Sequence, residues 1–299
     1  MFLDEIKKYD ITTANDQELA AGELLQKIIL AGLSETDFFE NASFHGGTAL
    51  RIFYGLNRYS QDLDFSLIKK QGKFEWKKYL VQVQDRMKEY GCSLELYDKS
   101  IRDSPVVIAE IRDLSIGRML DFEWATRIEH PKKIMVKLEM DSNPPDGGVS
   151  EEADIRFPYS SKIRLNDMPT LFSGKAHALL CRDYGDYVKG RDWYDFLWYM
   201  GKKIEPNYQY LSDAINRNGP WQGKNIKVTK DWFEKALQEK IISLNMEMVK
   251  RDVIRFVNPV ERDMVNTWTR DIFLNALETF YRQEKHDKKI FKHTDLGRI

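Results

Sequence analysis

The sequence predicts an α+β architecture, a sheet-bearing N-terminal domain followed by a C-terminal helical bundle, and three observations carry that prediction. Extended, apolar-rich runs are confined to the first half of the chain, between Leu63 and Met140. Beyond about Asn166 they fade, and helical periodicity rich in Trp, Tyr and Leu continues to Glu284. A hydrophobic content of 42% with 12% aromatics over 299 residues is enough apolar material for one large core or two moderate ones. The expected domains are therefore residues 1–165 and 166–299.

Taken in order, the elements begin at Asn15. Asn15 and Glu18 stand at capping-box spacing, apolar residues recur at Leu24, Leu25, Ile28 and Ile29, and Gly32 marks the expected helix end. Gly46 and Gly47 then break the chain. Thr48 opens a short helical stretch with Leu50, Ile52 and Phe53, which leads through Arg58 and Tyr59 into a strand from Leu63 to Ile68. A second helix is expected over Phe74 to Tyr90, stopped by Gly91. Extended runs follow at Cys92 to Tyr97, Pro105 to Arg112 and Ile134 to Met140, and these should complete one sheet. The clearest loop is Ser142 to Gly148, dense in turn-forming residues, an excursion near the end of the sheet domain.

Charge and cysteine usage narrow the function classes. The 46 Lys and Arg nearly cancel the 47 Asp and Glu, so any basic surface for nucleic acid must be local. Cys92 and Cys181 lack the paired spacing of a zinc site and fit reduced, structural thiols. The N-terminal MFLDEIKKYD carries acids and lysines where a signal peptide needs an apolar run, and no stretch approaches the ~20 apolar residues of a membrane span. A cytoplasmic protein without a membrane partner is expected.

The chemistry concentrates in Phe44-His45-Gly46-Gly47-Thr48-Ala49-Leu50 and Tyr59-Ser60-Gln61-Asp62-Leu63-Asp64-Phe65. A helix start offers unpaired N–H groups and the positive end of the helix dipole, and glycine there lets a phosphate approach closely. Gly46, Gly47 and Thr48 supply such a start. In the strand that follows, side chains alternate, so Asp62 and Asp64 share one face while Leu63 and Phe65 point to the core. Two adjacent carboxylates are costly unless they share a cation, and hard oxygen ligands favour Mg²⁺ held together with substrate phosphates.

GGTAL followed by RYSQDLDF resembles motif I of the DNA polymerase β-type nucleotidyltransferase superfamily, and within it the chain most resembles the AbiEii/AbiGii toxin family over roughly residues 15 to 200. The resemblance implies a polymerase β-like domain with a mixed β-sheet, followed by helices that add a lysine and the pattern Arg-Asp-x-x-Asp. It matches Arg58 and Ser60, with Gly46, Gly47 and Thr48, as nucleotide-binding residues, and Asp62 and Asp64 as catalytic metal ligands. Arg51 either reaches the same nucleotide or lies on a solvated helix face, and His45 reads as structural.

For a third carboxylate, Lys137, Glu139 and Asp141 alternate with Val136, Leu138 and Met140, which gives a half-buried strand with one polar face. Glu139 lies mid-strand, where the family carries an acid. Asp141 adjoins the loop and fits a strand-end turn residue, while Glu139 could instead simply pair with Lys137.

Further on, Lys175 and Arg182 lie seven apart on one helical face, and two cations so placed can hold an anion. The resemblance implies that Lys175 contacts the triphosphate. Arg182 assists it or only pairs with a carboxylate. Asp192 and Asp195 meet three apart on the next helix, either as an acidic first turn favoured by the helix dipole or, by the family pattern, as catalytic residues with Asp192 orienting Lys175 or the acceptor. The aromatics from Trp193 to Tyr210 read chiefly as helix packing.

Together these residues imply transfer of NMP from an NTP to an acceptor, with Mg²⁺ and release of pyrophosphate. The resemblance implies the toxin of a toxin–antitoxin or phage-defence system, with a cognate antitoxin and an RNA acceptor, the tRNA 3′ end foremost. Six Lys or Arg against three Asp or Glu from Arg282 to Ile299, with Lys224, Lys227, Lys230, Lys250, Arg251 and Arg255, are the local charge that would meet RNA phosphates. The alternatives are nucleotidylation of a protein or a small molecule such as an aminoglycoside, and a catalytically silent nucleotide-binding partner.

Overall fold

A computed structural model describes residues 1–69, 74–101, 104–127, 129–182 and 188–294, with side chains through Arg282. The chain divides into two units, residues 1–144 with 149–167, and residues 145–148 with 168–299.

The first unit opens with the short helix α1 (Phe2–Ile6) and the long α2 (Ala14–Ser34). Then come α3 (Phe38–Asn41), β1 (Ala42–His45), α4 (Gly46–Tyr54), β2 (Leu63–Leu67), α5 (Lys77–Lys88), β3 (Glu95–Asp98) and β4 (Val106–Asp113). Two short helices, α6 (Ser115–Met119) and α7 (Glu123–Thr126), lead to β5 (Ile134–Asp141), β6 (Ser150–Ile155) and β7 (Ser161–Asn166).

The seven strands form one mixed sheet in the order β3-β4-β5-β2-β1-β7-β6. β2 is antiparallel to β1 and parallel to β5, because the chain leaves β2, passes through α5, β3 and β4, and re-enters beside it. One face of the central strands is apolar: Leu63, Phe65, Val136, Leu138 and Met140 are buried, and α2 packs against β5 and β7. Around Phe38 the rings of Phe65, Trp76 and Tyr79 close to centroid distances of 5.0–5.7 Å, largely edge-to-face.

Several details differ from the sequence expectations. α2 is capped by Thr13, not Asn15: the Thr13 hydroxyl accepts from the Asp16 N–H at 3.2 Å while the Asp16 carboxylate accepts from the Thr13 N–H at 2.9 Å, a capping box closed two residues earlier. Gly32 does not end this helix, which runs on to Ser34; a Cβ there would stand 3.0 Å from Val83, so glycine serves close approach to α5. The strands β1, β6 and β7 were not expected. β6 is an acidic edge strand whose partners on β7 are basic, Glu152 facing Arg164 and Asp154 facing Lys162, so charge complementarity replaces the apolar alternation that would announce it.

The second unit is helical throughout: α8 (Met168–Cys181), α9 (Gly190–Lys202), α10 (Tyr208–Arg217), α11 (Lys230–Ile242), α12 (Met246–Val253), α13 (Pro259–Asn266) and α14 (Arg270–Thr294). Trp193, Phe196, Tyr199, Phe172, Phe233 and Phe273 are fully buried in it, and Phe172 stacks on Tyr199 at 4.3 Å. The aromatic density that begins at Trp193 is thus mostly packing. The Ser142–Gly148 loop does not stay with the sheet: its last four residues join the helical unit, where Asp146 pairs with Arg217 at 2.9 Å and Gly147 accepts from Asn207 at 2.8 Å. Both cysteines are free, and burial pushes the Cys92 thiol up to about 12 and the Cys181 thiol up to about 11. Among the described residues no helix is long and apolar enough to cross a membrane.

Candidate functional site

Antiparallel pairing of β1 with β2 sets His45 opposite Asp64, so the glycine turn that follows His45 closes directly over the carboxylate strand. Gly46 takes φ +82°, a left-handed conformation that glycine adopts without penalty. A Cβ on it would lie 2.2 Å from Oδ2 of Asp64, and a Cβ on Gly47 would lie 2.7 Å from Nη2 of Arg58 and 2.9 Å from Oγ of Ser60. Five of the expected site residues therefore converge on one turn. Both glycines are required by the chain's own side chains, before any ligand is considered.

The other motif I residues have mainly internal partners. Thr48 is fully buried and donates its hydroxyl to the Asp62 carbonyl at 2.5 Å, which ties the start of α4 to the entry of β2. Arg58 is buried and donates from Nη1 to its neighbour's carbonyl, Tyr59 O, at 2.9 Å. Arg51 is not on a solvated helix face: it is half-buried, pairs with Glu23 at 2.8 Å, donates to the carbonyls of Leu56 and Asn57, and lies 4.6 Å over the Tyr59 ring. His45 is the N-cap of α4 and makes no side-chain cap, so that helix start depends on backbone groups alone.

Parallel pairing of β2 with β5 sets Glu139 directly beside Asp64. Glu139 is ion-paired with Lys137, two residues back on the same face. The Lys137 ammonium is held above the ordinary lysine range, first by the hydrogen bond it donates to the Glu139 carboxylate, against the cost of burial, and then by attraction to Glu139, Asp62 and Asp64. Glu139 on β5, Asp64 on β2 and Asp62 just before β2 thus act on one cation. Asp141 behaves as a strand-end turn residue, accepting from the Asn143 N–H at 2.9 Å. Among the described residues no group of three His, Cys, Asp or Glu side chains stands close enough to hold a metal ion. The donor type, hard carboxylate oxygens with Glu139 set beside Asp64, is one that suits Mg²⁺.

In the helical unit the two aspartates of α9 are buried, not an exposed first turn. Lys175 lies between them, 2.6 Å from Asp192 and 2.7 Å from Asp195, and Arg182 reaches the other oxygen of Asp192 at 2.7 Å. Lys175 on α8 and Arg182, one residue past its end, do share an anion, and that anion is Asp192. Burial pulls the Asp192 carboxyl up, but Lys175, Lys189 and Arg182 outweigh it and hold the group below its ordinary range. Lys189, which sequence reasoning missed, is driven below the ordinary lysine range by burial and by Lys175, Arg182 and Arg191, against the attraction of Asp192. Its place just before the Arg-Asp pattern was the available signal. Of the scattered basic residues, Lys230 pairs with Glu205, Lys250 with Glu247 and Arg255 with Asp252. Lys224, Lys227 and Arg251 are exposed, and the side chains of the tail beyond Arg282 lie outside the described residues.

Two solved structures share this fold. The chain aligns with the crystal structure of JHP933 from Helicobacter pylori at a TM-score of 0.51 and 18% identity, covering 94% of this chain and 98% of that one. It aligns equally with a second H. pylori protein described as a candidate nucleotidyltransferase, at a TM-score of 0.51 and 18% identity over 90% and 97% of the two chains. No curated protein matches the sequence. The sequence model of the family described as "Nucleotidyl transferase AbiEii toxin, Type IV TA system" matches residues 28–278, a span that contains the glycine turn, the three carboxylates and the Lys175 group. The chain belongs to the AbiEii family of nucleotidyl transferase toxins of type IV toxin–antitoxin systems.

Proposed function

We propose that this enzyme transfers NMP from an NTP to an RNA acceptor, the tRNA 3′ end foremost, with Mg²⁺ as cofactor and pyrophosphate as the leaving group. The observation that supports this reading is the strand register that sets Glu139 beside Asp64, with the Gly46 turn closing over the Asp64 carboxylate, because adjacent carboxylates beside a glycine turn have the donor chemistry for a divalent ion and a phosphate. Asp62, Asp64 and Glu139 would hold the metal, which when bound supplies charge neutralisation at the transferring phosphate. Gly46 and Gly47 keep the turn beside Asp64 clear, and the start of α4, free of a His45 side-chain cap, offers N–H groups to a phosphate. Thr48, Arg58 and Ser60 fix that turn. Within the helical unit, Lys175, oriented by Asp192 and Asp195 and with Arg182 beside it, is the proposed anion contact. A cognate antitoxin and a cytoplasmic, phage-defence setting complete the reading.

The test is transfer of label. Purified protein with Mg²⁺ and each α-labelled NTP is offered total RNA, a cell lysate and aminoglycosides. Label is expected in RNA of tRNA size, and Asp64→Ala should reduce it on the order of 10⁴-fold, the scale of losing one member of a catalytic unit. Its unfolding free energy should stay within about 1 kcal/mol of wild type. Label only in protein or drug would sink the RNA acceptor, and no label with any NTP would leave a silent nucleotide-binding protein.

A further inference from the structure

Between α4 and β2 the chain runs from Gly55 to Asp62 without helix or strand, so its backbone carbonyls must be met in other ways. Three of them are met by side chains from outside the segment. Nη1 of Arg51 donates to the Leu56 carbonyl at 3.1 Å and to the Asn57 carbonyl at 2.7 Å, and Nε2 of Gln26 donates to the Ser60 carbonyl at 3.0 Å. Arg51 is in turn fixed by Glu23, which accepts from its Nε at 2.8 Å. Glu23 and Gln26 stand three apart on α2, on one face of that helix. One helix thus holds both ends of the stretch from Leu56 to Ser60.

That stretch carries Arg58 and Ser60, whose Nη2 and Oγ lie 2.7 and 2.9 Å from where a Cβ on Gly47 would stand. Displacing it therefore moves both groups relative to the glycine turn. Glu23 and Gln26 are 5% and 1% exposed, and burial by itself favours neither side chain. Oε1 of Gln26 has no hydrogen-bond partner among the described residues, and leaving a buried oxygen unmet costs more than one hydrogen bond to a carbonyl contributes. Stability alone would favour an apolar side chain of the same length. Glu23 is itself held in place: its Oε1 accepts from the Tyr9 hydroxyl at 2.9 Å and lies 3.4 Å from the Lys27 ammonium. Tyr9 also stacks on Tyr59, within the stretch, at a centroid distance of 6.4 Å.

We propose that Glu23 and Gln26 are positioning residues for the nucleotide: acting through Arg51 and the backbone of residues 56–60, they set where Arg58 and Ser60 stand against the glycine turn. Neither touches the nucleotide. The proposal rests on the reading of Gly46, Gly47, Arg58 and Ser60 as nucleotide-binding, and it adds a supporting layer in α2 that decides how tightly the NTP is held.

The experiment is calorimetric titration of the full chain with ATP, GTP, CTP and UTP in the presence of Mg²⁺, which returns a dissociation constant and a stoichiometry, beside urea midpoints of the same proteins. Gln26→Met keeps the length and removes the donor, and Glu23→Gln keeps the shape and removes the charge that fixes Arg51. Each should weaken the NTP that wild type binds best about tenfold, with the stoichiometry of wild type. A merely structural role would lower the urea midpoint and the stoichiometry, which counts folded protein, and leave the dissociation constant where it was. Gln26→Met breaks no ion pair and carries the test should Glu23→Gln fail to fold. Arg58→Met removes a positioned group and should itself weaken binding; in that background Gln26→Met should add only about twofold, because a residue acting through Arg58 is coupled to it. Ser60→Ala takes its place should Arg58→Met fail to fold. Wild-type affinity in Glu23→Gln and Gln26→Met, with Arg58→Met weakened, overturns the positioning role and leaves the nucleotide-binding turn standing. So do a loss of stoichiometry at unchanged affinity and an undiminished effect of Gln26→Met in the Arg58→Met background. Wild-type affinity in Arg58→Met, or no binding of any NTP by wild type at millimolar concentration, overturns the turn and the proposal with it.

Discussion

The sheet unit and the helical unit each gather carboxylates around a lysine, but at opposite depths. Lys137 and Glu139 keep 40% and 33% of their side-chain surface exposed, whereas Lys175 keeps 12% and its partners Asp192 and Asp195 keep 1% and 0%. At the sheet, water reaches the carboxylates, and one cation can be exchanged for another at modest cost. In the helices, desolvation makes the charges dependent on one another, and none can leave alone. The same residue types thus make an exchangeable cation site in one place and a fixed framework that holds one ammonium in the other.

That contrast is most exposed to failure at Lys175. Lys175→Ala leaves two buried aspartates without their shared cation and should cost about 3–5 kcal/mol in urea unfolding, the scale of an orphaned buried charge. Lys137→Ala, in the wetter cluster, should cost less than about 1 kcal/mol. Equal losses in the two variants would erase the distinction. A smaller effect is expected at the glycine turn: Gly46→Ala meets a positive φ and the Asp64 carboxylate together, so it should destabilise by about 1–3 kcal/mol and displace Asp64. Its transferase activity should fall further than its stability. An active Gly46→Ala enzyme would show that Asp64 can move without consequence.

How much of this was legible in the sequence follows the same physics. Asp64 and Glu139 were readable because strand alternation fixes which side chains share a face, and β2 and β5 hold to that alternation without a bulge, whereas Asp62 lies one residue before β2. The strands β1, β6 and β7 were not read. β1 is four residues long and β6 carries Glu151, Glu152 and Asp154, so neither offers the alternating apolar signal of a half-buried strand. Lys175, Arg182, Asp192 and Asp195 were singled out by spacing, but spacing says nothing about depth. The burial of Lys175, Asp192 and Asp195 depends on how α8 and α9 pack, and that decides whether two cations await an outside anion or already hold Asp192.

The smallest effect tests that depth through pH. Burial alone would raise the Asp192 carboxyl, yet Lys175, Lys189 and Arg182 hold it below the ordinary carboxylate value. A carboxylate lowered in the folded state contributes stability that is fully present above its unfolded pKa, about 3.9, and is lost as pH falls through the lower folded value. Wild-type protein should therefore lose stability steeply below about pH 4, while Asp192→Asn, weaker at neutral pH, should fall less over the same interval. Urea midpoints of the two proteins measured from pH 6 down to pH 3 decide the matter. Converging curves fit an aspartate ionised within a buried cationic cage, and parallel curves would mean that its charge contributes nothing to the fold.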